Sequence, residues 1–174
     1  MMMKFIKNLW PVFSIAALVA VIAGLNYKPD TILTGWDNLH PEFNFWLNIK
    51  RSFFAVWQEY QGLGLLGGMG HASDLLRQLF LLVLSSILPT DLLRYFWTFL
   101  TLFIGGAGSF YLIRKLSKSD TFSLLGAGFY ILNLSTIQTY YAPFEVFVAH
   151  FAALPWLLLA TANFFQNPDR KTLA

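Results

Sequence analysis

The 174-residue chain has no cysteine and few charged residues. The absence of Cys excludes disulfide bonds, zinc-thiolate sites and thiol nucleophiles. Charged side chains make up 12% of the sequence and form no basic run typical of a nucleic-acid surface, so nucleic acid is not an expected partner. Hydrophobic residues make up 56%, and the mean hydropathy is +0.55. This balance is too apolar for a soluble domain of this length and predicts an integral membrane protein.

Long apolar runs predict four membrane-spanning helices, at about residues 6–25, 92–113, 122–141 and 146–165. Each run is close to the length that crosses the hydrocarbon core of a bilayer. Glycines in the later runs predict close contacts between helices, at Gly105, Gly106, Gly108, Gly126 and Gly128. Residues 167–174 are similar to a turn followed by the start of another helix. We therefore expect residues 1–174 to be the amino-terminal part of a longer transmembrane domain, truncated at its carboxyl end.

Residues 26–74 contain no run long enough to span, and they predict a large external loop. Within the loop, residues 41–61 have apolar and aromatic side chains at helical spacing, with polar side chains on the other side. This pattern predicts an amphipathic helix that lies in the membrane plane, with Lys50 inside the apolar stripe and its ammonium group near lipid phosphates. The alternative is a helix packed on a soluble partner.

Residues 75–88 are apolar but short, and they include Arg77 and Gln78, which favours a re-entrant or interfacial helix over a span. If this helix does not cross, the amino terminus and every basic cluster are cytoplasmic, as the positive-inside rule requires. The clusters are Lys4 and Lys7, then Arg114, Lys115 and Lys118, then Arg170 and Lys171. If it does cross, the two later clusters lie outside. The sequence thus predicts an all-α, polytopic transmembrane bundle in the cell membrane with a large external loop.

The external loop collects most of the ionisable groups that could perform chemistry. Asp37 follows the first span, and His40, Glu42, His71 and Asp74 could surround it. These oxygen and nitrogen donors are compatible with a divalent metal, but their spacing matches no defined metal motif, so no cofactor is assigned. The segment Gly62 to Gly67 has the pattern G-x-G-x-x-G, but no strand precedes it, which excludes dinucleotide binding.

Three short motifs carry a family resemblance: Gly35-Trp36-Asp37-Asn38, Trp57-Gln58-Glu59-Tyr60 and Gly62-Leu63-Gly64. With the order of anchor helix, external loop and later spans, they resemble the membrane-embedded glycosyltransferases of the GT-C superfamily, in particular its arabinofuranosyltransferase-like polytopic members. The resemblance implies transfer of a sugar from a polyprenyl-phosphate donor to a glycan or lipid acceptor of the cell envelope, at the outer face of the membrane. It also implies that Asp37 is the catalytic acidic residue.

Such a transfer needs a base for the acceptor hydroxyl and cations that stabilise the departing phosphate. Asp37 can serve as the base. The expected substrate-binding residues are His40, Glu42, Lys50, Arg51, His71, Asp74 and Arg77, of which the Lys and Arg residues would meet the phosphate. Two other functions stay open from the sequence: a transporter or lipid-handling permease, which would bury polar residues at mid-membrane, and a non-catalytic membrane assembly subunit.

Overall fold

The computed structural model describes residues 2–35, 40–54, 57, 63–64, 74–166 and 168, with side chains from Leu9 onward. Within these residues there are seven α-helices, one 3-10 helix and no strand. The helices are α1 (Met2–Asn26), the 3-10 turn (Pro41–Phe43), α2 (Phe45–Phe54), α3 (Leu75–Leu84), α4 (Thr90–Ser117), α5 (Asp120–Leu132), α6 (Leu134–Tyr141) and α7 (Glu145–Gln166). The all-α fold class is confirmed for this part of the chain.

Among the described residues, three helices are long and apolar enough to cross a membrane: Leu9–Asn26 within α1, Thr90–Ser117 and Glu145–Gln166. They correspond to three of the four predicted spans. The chain forms two compact units, the first made of residues 1–29, 34–36 and 98–174, and the second made of residues 30–33 and 37–97. Helix α4 contributes its first turns to the second unit and the remainder to the first.

The fourth predicted span, residues 122–141, is not one continuous helix. Helix α5 ends at Leu132, and Asn133 takes an extended conformation with φ −70° and ψ 156°. Its side-chain oxygen then accepts a hydrogen bond from the backbone N–H of Thr136, at 3.0 Å, and so caps the amino end of α6. Asparagine favours such caps over helix interiors because its side chain competes for backbone hydrogen bonds. The apolar run at residues 122–141 gave no indication of this break in the sequence.

The first unit has an apolar core to which α1, α4 and α5 contribute. Its buried members are Ile15, Val19, Leu102, Phe110, Ala127 and Ile131. Gly106 lies where the three helices meet, because a Cβ atom there would stand 2.6 Å from the Ile131 side chain and 3.3 Å from that of Ile15. Gly105, Gly108 and Gly126 also lie against neighbouring side chains, whereas Gly128 faces open space. The predicted role of glycine in helix packing is confirmed at the first four positions.

In the second unit the predicted helix over residues 41–61 is shorter than expected. The 3-10 turn comes first, Asn44 accepts a hydrogen bond from the N–H of Leu47 at 3.0 Å, and α2 occupies only Phe45–Phe54. Trp57 lies outside any helix, and most of residues 55–62 fall outside the described part of the chain. The turn, α2 and α3 pack on one another.

Helix α2 buries its polar side. Asn48, Ile49 and Ser52 are buried, and Ser52 donates a hydrogen bond to the Gln78 side chain of α3 at 3.1 Å. The aromatic residues point away from this contact, since Trp46 is 74% exposed and Phe54 is 74% exposed. A helix with this orientation presents its most apolar surface outward.

Candidate functional site

The 3-10 turn positions a buried carboxylate. Pro41 begins the turn, where its fixed φ suits the first helical position, and Glu42 follows with a side chain that has no exposed surface. One oxygen of this carboxylate, Oε1, accepts a hydrogen bond from Nε of Arg94 at 2.8 Å and lies 3.2 Å from Nδ1 of His40. The other oxygen, Oε2, has no hydrogen-bond partner among the described residues.

Arg94 is the cation of this pair, and it lies near the start of the candidate span α4. Its side chain is only 2% exposed. A buried charge in a membrane helix is costly unless a partner neutralises it, and Glu42 supplies an opposite charge to Arg94 at 2.8 Å. The next residue makes a second attachment, because the Tyr95 hydroxyl lies 3.2 Å from the Thr31 hydroxyl.

These two contacts bracket the segment that carries Asp37. Thr31 precedes that segment and Glu42 follows it, and their partners are neighbouring residues of α4. Asp37 itself lies outside the described residues, as does His71. Both flanks of the loop are therefore fixed to the first turns of a helix that is long enough to span a membrane.

A second polar network connects α3 to α2. Asp74 accepts two hydrogen bonds from Arg77, from Nε at 2.6 Å and from Nη2 at 2.7 Å, in the bidentate geometry typical of strong arginine-carboxylate pairs. Gln78 donates to the same carboxylate at 3.3 Å and accepts from Ser52. Because Arg77 and Gln78 are buried, this chain of bonds fixes the polar side of α2 to α3.

The structure brings some predicted site residues together and separates others. His40 pairs with Glu42, and Asp74 pairs with Arg77. Lys50 and Arg51 lie on the exposed side of α2. In the described ranges no three His, Cys, Asp or Glu side chains are grouped closely enough to hold a metal ion.

Sequence reasoning missed the role of Arg94, Gln78 and Ser52. Arg94 was visible as a charge inside an apolar run, which is itself a signal of function or of pairing. Its partner Glu42 lies 52 residues earlier, and no local pattern identifies a contact over that separation. Ser52 was expected on the polar side of the helix, but which side would be buried depends on the surroundings of the helix.

No protein-family model, curated protein or solved structure matches this chain.

Proposed function

We propose that the chain belongs to a membrane glycosyltransferase of the GT-C type. It transfers a sugar from a polyprenyl-phosphate donor to a glycan or lipid acceptor of the cell envelope, at the outer face of the membrane. The observation that supports this most directly is the attachment of both flanks of the Asp37 loop to Tyr95 and Arg94. Thr31 and Glu42, which flank the Asp37 segment in sequence, are in this way attached near the end of a candidate spanning helix, where a lipid-linked substrate would present its phosphate.

In this proposal the charged residues divide into two groups by their contacts. Glu42 and Arg94 are paired with each other, and Asp74 is paired with Arg77, so these residues position the loop and α2. Asp37 acts as the base that takes the proton from the acceptor hydroxyl, which breaks the O–H bond as the oxygen attacks the sugar carbon. Arg51, which is exposed on α2, is a cation available to the departing phosphate.

The break at Asn133 is an observation that favours a transporter, since discontinuous membrane helices commonly form the binding sites of transporters. However, the polar groups at this break satisfy one another. The Asn133 amide donates to the carbonyl oxygens of Phe129 and Tyr130, and the Thr136 hydroxyl donates to the Tyr130 carbonyl at 2.7 Å. The buried ion pairs lie instead beside α3 and the first turns of α4. Their position near helix ends supports chemistry at a membrane surface over transport through its centre.

The proposed orientation is multi-pass, with the amino terminus cytoplasmic and the loop of residues 26–74 external. Ten-residue α3 is about 15 Å long, half the thickness of the hydrocarbon core, so it supports the expectation that residues 75–88 do not cross. If α3 stays on one side of the membrane, the three basic clusters can all lie in the cytoplasm, as the positive-inside rule requires.

The test is transfer activity of the complete gene product in membranes, measured with radiolabelled polyprenyl-phosphate sugars and a cell-envelope acceptor fraction. Asp37→Asn keeps the shape of the side chain but removes the basic oxygen, and we expect the rate to fall by about 10²- to 10⁴-fold. The matched control is Asp30→Asn, an exposed loop acid with φ 59°, a conformation that Asn also tolerates. Full activity of the Asp37 variant would exclude it as the base. A variant that fails to accumulate would show that Asp37 is structural.

A further inference from the structure

The surface that carries this inference is the outward side of α2, which we call the aromatic face: Trp46, Leu47, Lys50, Phe53 and Phe54. All five residues are exposed, and Phe53 is 66% exposed. The opposite side of the same helix is fixed by buried hydrogen bonds to α3, as described above. Turning the helix to hide the aromatic face would break those bonds, so the face is held in its outward orientation.

The depth of α2 follows from its attachment to α4. Helix α4 has 28 residues and is therefore about 42 Å long, which exceeds the roughly 30 Å hydrocarbon core and matches a bilayer with its headgroup regions. Arg94 is one turn from the amino end of α4 and so lies near the boundary between hydrocarbon and headgroups. Glu42 is bonded to it at 2.8 Å, and α2 begins at Phe45, three residues later. The start of α2 is thus held at the level of the membrane interface.

The charge within the aromatic face indicates the chemistry of its partner. Lys50 is one helical turn from Trp46 on one side and from Phe54 on the other, so its ammonium group emerges from an aromatic surface. Aromatic rings prefer the interfacial region of a bilayer, and a lysine there extends its apolar stem along the lipid and its charge towards phosphates. A protein partner whose interface excludes water would need an acidic side chain opposite Lys50, whereas a lipid leaflet supplies phosphate groups at this depth.

We propose that the aromatic face of α2 docks into the lipid leaflet in which α4 begins, and that Lys50 binds the phosphate of an anionic phospholipid headgroup there. The inference does not depend on glycosyl transfer, because it rests on the orientation of α2 and on its attachment to a spanning helix. Docking would hold α2 and the 3-10 turn at a fixed depth in the bilayer interface. The anionic lipid would then be a structural ligand of the chain.

The test uses the natural absence of cysteine. Single variants Phe54→Cys and Arg51→Cys are labelled with a nitroxide in the full chain, reconstituted into vesicles of phosphatidylcholine with or without phosphatidylglycerol. Both positions are exposed on the same helix, but Arg51 lies at the edge of the aromatic face, so it is the matched control. We expect the label at position 54 to be accessible to oxygen and shielded from a water-soluble nickel reagent. The label at position 51 should show the reverse.

Lys50→Gln tests the headgroup. Phosphatidylglycerol should favour the docked state of position 54 by about fivefold in the parent chain, the effect of one lysine near an anionic surface, and Lys50→Gln should abolish this dependence. Lys118→Gln removes the same charge from an exposed residue outside α2 and should leave the dependence on phosphatidylglycerol unchanged. Equal nickel accessibility at positions 51 and 54 would overturn the docking. A label at position 54 that is shielded from nickel but also inaccessible to oxygen would overturn it too, since protein would then cover the face. Persistent lipid dependence in Lys50→Gln would overturn the assignment of Lys50.

Discussion

At the scale of single residues, the ion pair between Glu42 and Arg94 fixes the 3-10 turn to the start of α4. Both side chains are almost completely buried, with exposures of 0% and 2%. Burying two charges costs a large desolvation energy, and their attraction repays it only while both are present. Removing one partner of this pair should therefore lower the free energy of unfolding far more than removing one partner of an exposed pair.

We expect Glu42→Gln to lower the free energy of unfolding by about 3–5 kcal/mol, because it breaks a buried ion pair by removing one of its two charges. The measurement is an SDS titration of the protein in detergent micelles, followed by tryptophan fluorescence. The matched control is Asp120→Asn, which removes the acid of the Arg114 pair, whose side chains are 39% and 37% exposed. That change should cost less than about 1 kcal/mol. Similar costs for the two variants would mean that water reaches the Glu42 pair.

The sequence identified some of these residues and not their partners. His40, Glu42, Asp74 and Arg77 were selected because ionisable groups are scarce in an apolar chain. Their neighbours in sequence made the local pairs predictable, since His40 and Glu42 are two positions apart and Asp74 and Arg77 are three apart. The contact of Glu42 with Arg94 depends on how distant segments pack, which no local pattern records.

At the scale of elements, Pro155 leaves a backbone carbonyl of α7 in need of a hydrogen-bond donor from outside the helix. Proline has no N–H, so the carbonyl oxygen of Phe151, one turn earlier, lacks its helical hydrogen bond. The Tyr130 hydroxyl of α5 donates to this oxygen at 2.9 Å, while the Tyr130 ring stacks on the Phe151 ring with centroids 4.3 Å apart. One side chain thus supplies both the missing donor and an apolar contact between the two helices.

Tyr130→Phe keeps the ring and removes the hydroxyl, so we expect it to lower the free energy of unfolding by about 0.6–2 kcal/mol. In a Pro155→Ala background the helix provides its own N–H, and the same substitution should cost less. This coupling is measured by a double-mutant cycle in the SDS titration. The control is Tyr111→Phe, whose hydroxyl has no hydrogen-bond partner among the described residues and whose ring packs on Phe110 and Trp156. Additive effects of Tyr130→Phe and Pro155→Ala would contradict the proposed compensation.

The elements themselves were predictable to different degrees. Long apolar runs located α1, α4 and α7 because length and hydropathy alone identify a potential span. The run at 122–141 was mistaken for one helix because hydropathy is insensitive to a single Asn at a cap. For α2 the sequence predicted two faces correctly, but only packing on α3 revealed that the polar one is buried.

At the scale of the whole molecule, the break at Asn133 affects the topology. The proposed orientation needs the chain to cross the membrane between the cluster around Lys115 and the start of α7 at Glu145. Helix α5 has 13 residues and is only about 20 Å long, so it is too short to cross alone. Helix α6 adds 8 residues. The two helices must therefore cross together if Arg170 and Lys171 are to be cytoplasmic.

Single cysteines at positions 4, 115 and 171 test this arrangement in intact cells with a membrane-impermeant thiol reagent. We expect all three to be protected, because the positive-inside rule retains basic clusters in the cytoplasm. A cysteine at position 30, in the loop that we propose to be external, should be labelled and is the control. Lysis before labelling verifies that each thiol is reactive. Labelling of position 115 from outside would mean that residues 75–88 cross the membrane. Labelling of position 171 while position 115 stays protected would mean that α5 and α6 turn back at Asn133, and the segment would then be re-entrant instead of a span.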